Sequence, residues 1–216
     1  MGVDRSFLME SLMWRYATHV FDQQKKIPQE DWDLLEDVLR FTPSTFGLQP
    51  WKFIIVQNRD LRMKLLPFTW NQHQVIDCSH YVVFATMNRI SEEYILKYMK
   101  KVSDVRRAPL DLMVDYKKKI MDGIEGPVNT SNIIHFTRRQ AYIAMGSLLT
   151  TAALMRIDTC PLEGLDREKY DELLGLKGTE YQTIAAVACG YRSSDDKYAK
   201  LQKVRFEKKE IITHID

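Results

Sequence analysis

Residues 42–56 read "TPSTFGLQPWKFIIV". The second half continues into "KFIIVQN" (52–58), a short apolar, β-branched run that predicts a strand. The stretch before it, "IPQEDWDLLEDVLRFT", predicts a helix. Pro28 suits a first turn, Glu30, Asp31 and Asp33 suit the positive helix start, and Trp32, Leu35, Val38 and Leu39 share one face. A helix-to-strand connection needs only a few turn residues. This one carries Pro43, Pro50 and Gly47, hydroxyls at Thr42, Ser44 and Thr45, and the aromatics Phe46 and Trp51. It reads as a wall of a site rather than a plain connector. Trp51 reads as the strand's anchor in the core.

Working outward, "SHYVVFATM" (79–87) and "YQTIAAVACGY" (181–191) predict two more strands. Short helices are expected over 5–16 and 60–66, and a charge-rich helical region over 92–122. Gly123, Gly126, Pro127 and Asn129 then mark a loop. "NIIHFTRRQAYIAMGSLLTTAALMRI" (132–157) predicts one long helix whose small residues permit close approach. "DREKYDELLGL" (166–176) predicts another, with Asp166 as its N-cap. "DTCPLEGLD" (158–166) reads as a loop with a pre-set Pro161 and a permissive Gly164. "EIITHI" (210–215) reads as a terminal strand. The order of elements gives an α+β class and a single domain over 1–216.

Composition sets limits on function. With 216 residues, 45% apolar and 28% charged, the chain is long enough for an ordinary core without disulfides. Its net charge of +2 demands no polyanionic partner. A nucleic-acid-binding or scaffold role for "KKVSDVRR" and the basic tail would need a stronger basic footprint. Cys78, Cys160 and Cys189 are widely spaced, with neither zinc spacing nor C-x-x-C, and read as buried thiols of a cytoplasmic protein. No signal peptide is evident, and the longest uncharged run, Gln140 to Met155, is too short for a membrane span. Neither G-x-G-x-x-G after a strand nor a P-loop occurs, and the five histidines are scattered, so no metal site is expected.

Local patterns point instead to an anion site. In "RYATH" (15–19), Arg15, Ala17 and His19 share one face if the chain is extended. In "KVR" (203–205), Lys203 and Arg205 do the same. Arginine forks and a lysine together suit a phosphate. Glu163 and Gly164 offer backbone N–H groups, and Asn71 offers an amide to a planar heterocycle.

Together, "RYATHVFD", "TPSTFGLQPWKFIIV", "WNQHQVIDCSHYVVFA", "RRQAYIAMGSLLTTAALMRIDTCPLEGLD" and "KVRF" resemble, in order and spacing, the FMN-dependent nitroreductase family. The likeness is nearest to its oxygen-insensitive nitroreductase and dihydropteridine reductase branch. The resemblance implies a mixed β-sheet flanked by helices and an intertwined homodimer. A C-terminal arm, 193–216, would be exchanged between copies, and 92–130 would form a variable helical lid. It implies FMN at the interface, with NAD(P)H as electron donor and a small-molecule acceptor. By the same resemblance Arg15, Lys203 and Arg205 lie at the phosphate, with Tyr16 and Ala17 lining FMN. Pro43, Ser44 and Thr45 come from the other copy, and Asn71 meets the polar edge. Pro161, Leu162, Glu163 and Gly164 cover one ring face, with the Glu163 N–H towards N5. His19 and Gln74 stand where the branch often has lysine, near the pyrimidine edge. Phe46 and Gly47 replace a small polar residue and an asparagine, so both are expected to line the substrate pocket, with Gly47 also at the cofactor. No side-chain acid, base or nucleophile is implied, because the flavin carries the redox chemistry. Expected acceptors are nitroaromatics, quinones or pterins, reduced in ping-pong fashion. The alternative is a specialised flavoenzyme (a dehydrogenase or dehalogenase) or a flavin binder with little turnover.

Overall fold

The computed structural model describes residues 2, 4–109, 114–125 and 133–215. Four strands form one sheet: β1 (Trp51–Ile55), β2 (His80–Met87), β3 (Asp158–Leu162) and β4 (Tyr181–Gly190), in the order β1-β2-β4-β3. All named pairs are antiparallel. Among the described residues, parallel pairing enters only through the isolated bridge between Ala17 and Thr159, which lays the segment after α1 (Arg5–Trp14) along the free edge of β3. The central strand β2 is buried at every position, as its unbroken apolar run demands.

One face of the sheet carries α2 (Gln29–Phe41) and α7 (Ile133–Leu154). Trp32, Leu35 and Leu39 of α2 meet Ala141, Ala144, Leu148 and Ala152 of α7 over Val82, Phe84 and Val187. The alanines of α7 are what let a helix of 22 residues lie this close. The other face carries α3 (Arg59–Leu65), α4 (Gln74–Asp77) and α8 (Arg167–Leu173) over Tyr81, Val83, Leu162 and Tyr170. A third, smaller core joins Leu48 to α5 (Glu92–Arg106) and α6 (Val114–Glu125) through Ile95, Met99, Ile120 and Ile124.

Two expectations are corrected. The segment 158–166 is not all loop: its first half is the edge strand β3, where Pro161 is tolerated because an edge position needs no ladder donor. The charge-rich 92–122 region is helical as expected, and it holds two helices, since α5 ends at the left-handed cap Arg107 (φ 54°) and α6 begins at Val114. "EIITHI" is not a strand. Its first two residues belong to the short helix α9 (Lys208–Ile211), which a capping box of Glu207 and Glu210 starts, and among the described residues it joins no sheet. The loop expected at Gly123–Asn129 falls partly outside the described residues; Gly123 itself lies within α6. Asp166 caps α8 as expected, accepting from the Lys169 N–H at 3.1 Å. Trp51 is 9% exposed, at the head of β1.

Candidate functional site

The extended segment after α1 is pinned from below. Thr18 Oγ1 donates to the buried Asp158 carboxylate (3.2 Å), which also binds Arg192. The Arg192 guanidinium lies over the rings of Trp14 and Tyr16, at 4.1 and 4.6 Å. Asp196 holds the next piece. Its carboxylate accepts from Tyr16 Oη (2.9 Å), His19 N (2.8 Å), Val20 N (3.1 Å) and Tyr198 N (3.0 Å). Burial pushes Asp196 upwards, but these donors outweigh it and hold the group below the ordinary carboxylate value. Segments 15–20 and 196–205 thereby become opposite walls of one cleft.

That cleft has a volume of about 410 Å³. Arg15, Tyr16, Ala17, His19, Lys203 and Arg205 all line it, with His19 stacked on Tyr198 at 4.2 Å. The five residues expected at an anion site, and Tyr16 expected to line the cofactor, therefore converge. Arg15 is half-buried, and its Nε has no partner. Burial, then the charge of Arg205, pulls Arg15 below its usual value; burial, then Arg15 and Arg205, does the same to Lys203. Lys203 Nζ also donates to the carbonyls of Leu12 (3.0 Å) and Arg15 at the end of α1. Three cations held together around an orphaned guanidine nitrogen form a place for an anion such as a phosphate.

A second group adjoins β3. Pro161 and Leu162 end the strand, and Glu163 and Gly164 follow it. The Trp70 indole lies on Gly164 so closely that a Cβ there would stand 2.6 Å from a ring carbon. Asp166 N donates to Phe68 O (2.8 Å), joining this loop to the turn that carries Trp70 and Asn71, both left-handed (φ 51° and 53°). Asn71 is exposed, whereas Gln74 is buried (5%). Beside the loop, burial and then the Glu163 carboxylate push the Tyr142 hydroxyl up to about 12.

The turn 44–49 is a third group. The cleft lining contains none of Pro43, Ser44, Thr45, Phe46 or Gly47. Thr45 N donates to Gln140 Oε1 on α7 (2.9 Å), while Pro43 and Thr45 are exposed. Phe46 and Gly47 face α5 and α6: the Phe46 carbonyl accepts from Tyr98 and Tyr116, and its ring fills the space that Gly123 leaves.

No group of three or more His, Cys, Asp or Glu able to hold a metal occurs among the described residues. The three cysteines are free and buried; Cys78 and Cys160 are pushed up to about 11 and 12, first by burial. His80 stacks on Trp32 at 4.0 Å and is pushed down to about 4 by burial, then by Arg62 and Lys26. None of these is a poised nucleophile or base. No described helix is long and apolar enough to cross a membrane.

Residues 12–191 match the sequence model of the nitroreductase family. The chain belongs to the nitroreductase family. A Staphylococcus epidermidis protein named "putative NAD(P)H nitroreductase" is 32% identical to this nitroreductase-family chain over 216 residues, 97% of each chain. A Staphylococcus aureus protein of the same name is 32% identical over 198 residues, 87% of each. Among solved structures, a "nitroreductase-like protein" from Streptococcus mutans superposes with a TM-score of 0.82 at 17% identity, covering 99% of this chain and 100% of that one. A "putative nitroreductase in complex with FMN" from Exiguobacterium sibiricum gives 0.78 at 18% identity, covering 100% and 99%. At such identities these two structures show the shared fold.

Sequence reasoning missed several residues that shape these three groups. Asp196, in the polar run "SSDDKY", stands out from the rest of the polar C-terminal arm by no sequence signal. Its burial (1%) has no periodic signal, and only a three-dimensional view finds its donors. Tyr198, Trp70, Tyr98 and Tyr116 were also unmarked. A count of tyrosines at helical spacing in 94–116 was the one available hint.

Proposed function

We propose that this protein is an FMN-dependent NAD(P)H oxidoreductase that reduces small-molecule acceptors of the nitroaromatic, quinone or pterin type. The observation that carries this reading is the cluster of Arg15, Lys203 and Arg205 around the unpartnered Arg15 Nε, in a cleft beside the β3 edge. These residues fit the FMN phosphate in charge and donor number. FMN held there would supply the redox chemistry between NAD(P)H and the acceptor. The chain's own groups bind and orient it. Tyr16 and Ala17 line the cleft, and His19, Asn71 and Gln74 take the polar edge. Pro161 to Gly164 cover a ring face, and the Glu163 N–H is the group we assign to N5.

Residues 1–216 act as one domain, with 92–130 as lid and 193–216 as an arm that crosses to a second copy. The arm's exposed Val204 (84%) and Phe206 (77%) support this, since such apolar side chains gain by being covered. In the homodimer, Pro43, Ser44, Thr45 and Gly47 reach the neighbouring copy's cofactor. Three buried free thiols suit the cytoplasm. Neither a nucleic acid nor a membrane is needed as a partner.

The purified protein is expected to be yellow, and its flavin absorbance should bleach when NADPH or NADH is added anaerobically. Steady-state velocities should give parallel double-reciprocal lines, the mark of a ping-pong mechanism. The reading fails if there is no flavin band and added FMN neither binds nor raises Tm. A flavin band that reduced nicotinamide leaves unbleached would favour a flavin-binding protein with low turnover.

A further inference from the structure

The turn 44–49 is strained. Phe46 (φ 58°, ψ 6°) and Gln49 (φ 51°) are left-handed without being glycine, and Gly47 (φ 72°) lies between them. Such backbone persists only where its surroundings over-determine it. Here the surroundings are three tyrosines of the two helices packed on the turn. Tyr98 Oη of α5 and Tyr116 Oη of α6 both donate to the Phe46 carbonyl, at 2.8 and 2.9 Å. Tyr94 Oη donates to the Leu48 carbonyl (2.8 Å) and the Gln49 carbonyl (3.0 Å).

Two glycines make this grip possible. A Cβ on Gly47 would stand 2.5 Å from Tyr98 Oη, so any side chain there displaces the hydroxyl. A Cβ on Gly123 would stand 2.6 Å from the Phe46 ring, so the ring seats on α6 only because that position is glycine. Phe46 and Gly47 are thus the turn's half of a lock whose other half is Tyr98, Tyr116 and Gly123. The same turn carries Ser44 and Thr45. Its own bonds, Gly47 N to Ser44 O (2.8 Å), Gln49 N to Ser44 Oγ (2.9 Å) and Thr45 N to Gln140 Oε1 (2.9 Å), make it one rigid piece.

We infer that Tyr98 and Tyr116 are positioning residues: through the Phe46 carbonyl, the lid helices set where Ser44 and Thr45 stand against FMN. This rests on the reading of 44–45 as a cofactor contact. It assigns Phe46 and Gly47 to the lid's attachment rather than to direct acceptor contact. The lid then travels with the cofactor wall instead of opening independently of it.

The test compares the Tyr98→Phe/Tyr116→Phe double variant with Lys117→Ala, which removes an exposed α5–α6 ion pair (Lys117–Glu92) and leaves the tyrosines in place. Both variants perturb the lid; only the first touches the turn. In the cofactor-free protein, the double variant should lose hydrogen-exchange protection at the amides of 45–49, and Lys117→Ala should keep it. With FMN added, the double variant should bind about tenfold more weakly and show altered visible circular dichroism, as the loss of two hydrogen bonds implies. Lys117→Ala should match wild type in both. If wild type binds FMN and the double variant matches it in affinity and dichroism, the inference is overturned. Equal loss in both variants overturns it too, because general loosening of the lid would then suffice. If wild type binds no FMN, the functional reading fails, and the exchange experiment alone decides whether the tyrosines fix the turn.

Discussion

The cleft between 15–20 and 196–205 and the turn at 44–49 both hold groups in costly states, and they relieve the cost differently. In the cleft, three cations are drawn together with a guanidine nitrogen left unpartnered. In the turn, the backbone is left-handed at three positions, yet the carbonyls of Phe46, Leu48 and Gln49 are bonded to tyrosines. On the proposed reading the cleft is satisfied by a phosphate from outside the chain, whereas the turn is satisfied from within it. A ligand should therefore stabilise the first, while the second should be as firm without one.

The sharpest way to break the cleft is to remove the carboxylate that joins its walls. Asp196→Ala strands the donors Tyr16 Oη, His19 N, Val20 N and Tyr198 N. Hydrogen bonds to a buried charge are the strong kind, so a loss of about 3 kcal/mol in stability is expected. That corresponds to a Tm lower by roughly 6–12 °C for a chain of this size. The sign of the pH effect follows from the direction of its shift. Asp196 is held below its ordinary value, so its contribution is full above the unfolded pKa and is lost as pH falls through the folded one. Wild-type Tm should drop on acidification below about pH 4, and Asp196→Asn should flatten that limb. Thermal scans across pH check both points; an unchanged acid limb would exclude Asp196 as its source.

Arg15→Ala separates ligand binding from folding. Removing a charge-assisted contact to a phosphate should weaken FMN binding by about 1.5–3 kcal/mol, a tenfold to hundredfold rise in Kd. The cofactor-free protein should be no less stable, because burial and then the Arg205 charge weigh against the Arg15 guanidinium, and the Arg15 Nε has no partner to lose. A titration of flavin fluorescence, set beside a thermal scan without FMN, reads both quantities. A fall in cofactor-free Tm with unchanged Kd would make Arg15 structural and would remove the main support for the phosphate reading.

Legibility differed between the two regions for a physical reason. Arg15, Ala17 and His19, with Lys203 and Arg205, could be paired as an anion site from alternation alone, and the structure brings them into one cleft. β2 and β4 were equally plain, since their buried stretches are written as apolar runs, Tyr81–Ala85 and Ile184–Cys189. β3 was hidden because Pro161 and the polar Asp158 and Thr159 obey tertiary partners rather than a period. "EIITHI" misled in the opposite direction: β-branched residues favour a strand only where another strand is available. At 46–47 the residue types were noticed but their purpose was not. A glycine that exists to admit Tyr98 has its explanation 51 positions away, on α5.

Gly164 allows a finer version of the same comparison. Like Gly47, it has no room for a Cβ; unlike Gly47, it has an ordinary backbone, and what lies over it is the exposed Trp70 indole rather than a bonded hydroxyl. An indole that is 78% exposed can swing outwards. Gly164→Ala should therefore cost well under about 1 kcal/mol of stability, since nothing buried or hydrogen-bonded must move. Its effect should appear at Trp70 instead, as a red shift of tryptophan emission when the ring leaves the loop, with a Trp70→Phe background identifying the source. Gly47→Ala should cost more, about 1–3 kcal/mol, because it combines a left-handed φ with the loss of the Tyr98 bond. If Gly164→Ala proved the more damaging of the two, the loop after β3 rather than the tyrosine-held turn would be the rigid wall of the site.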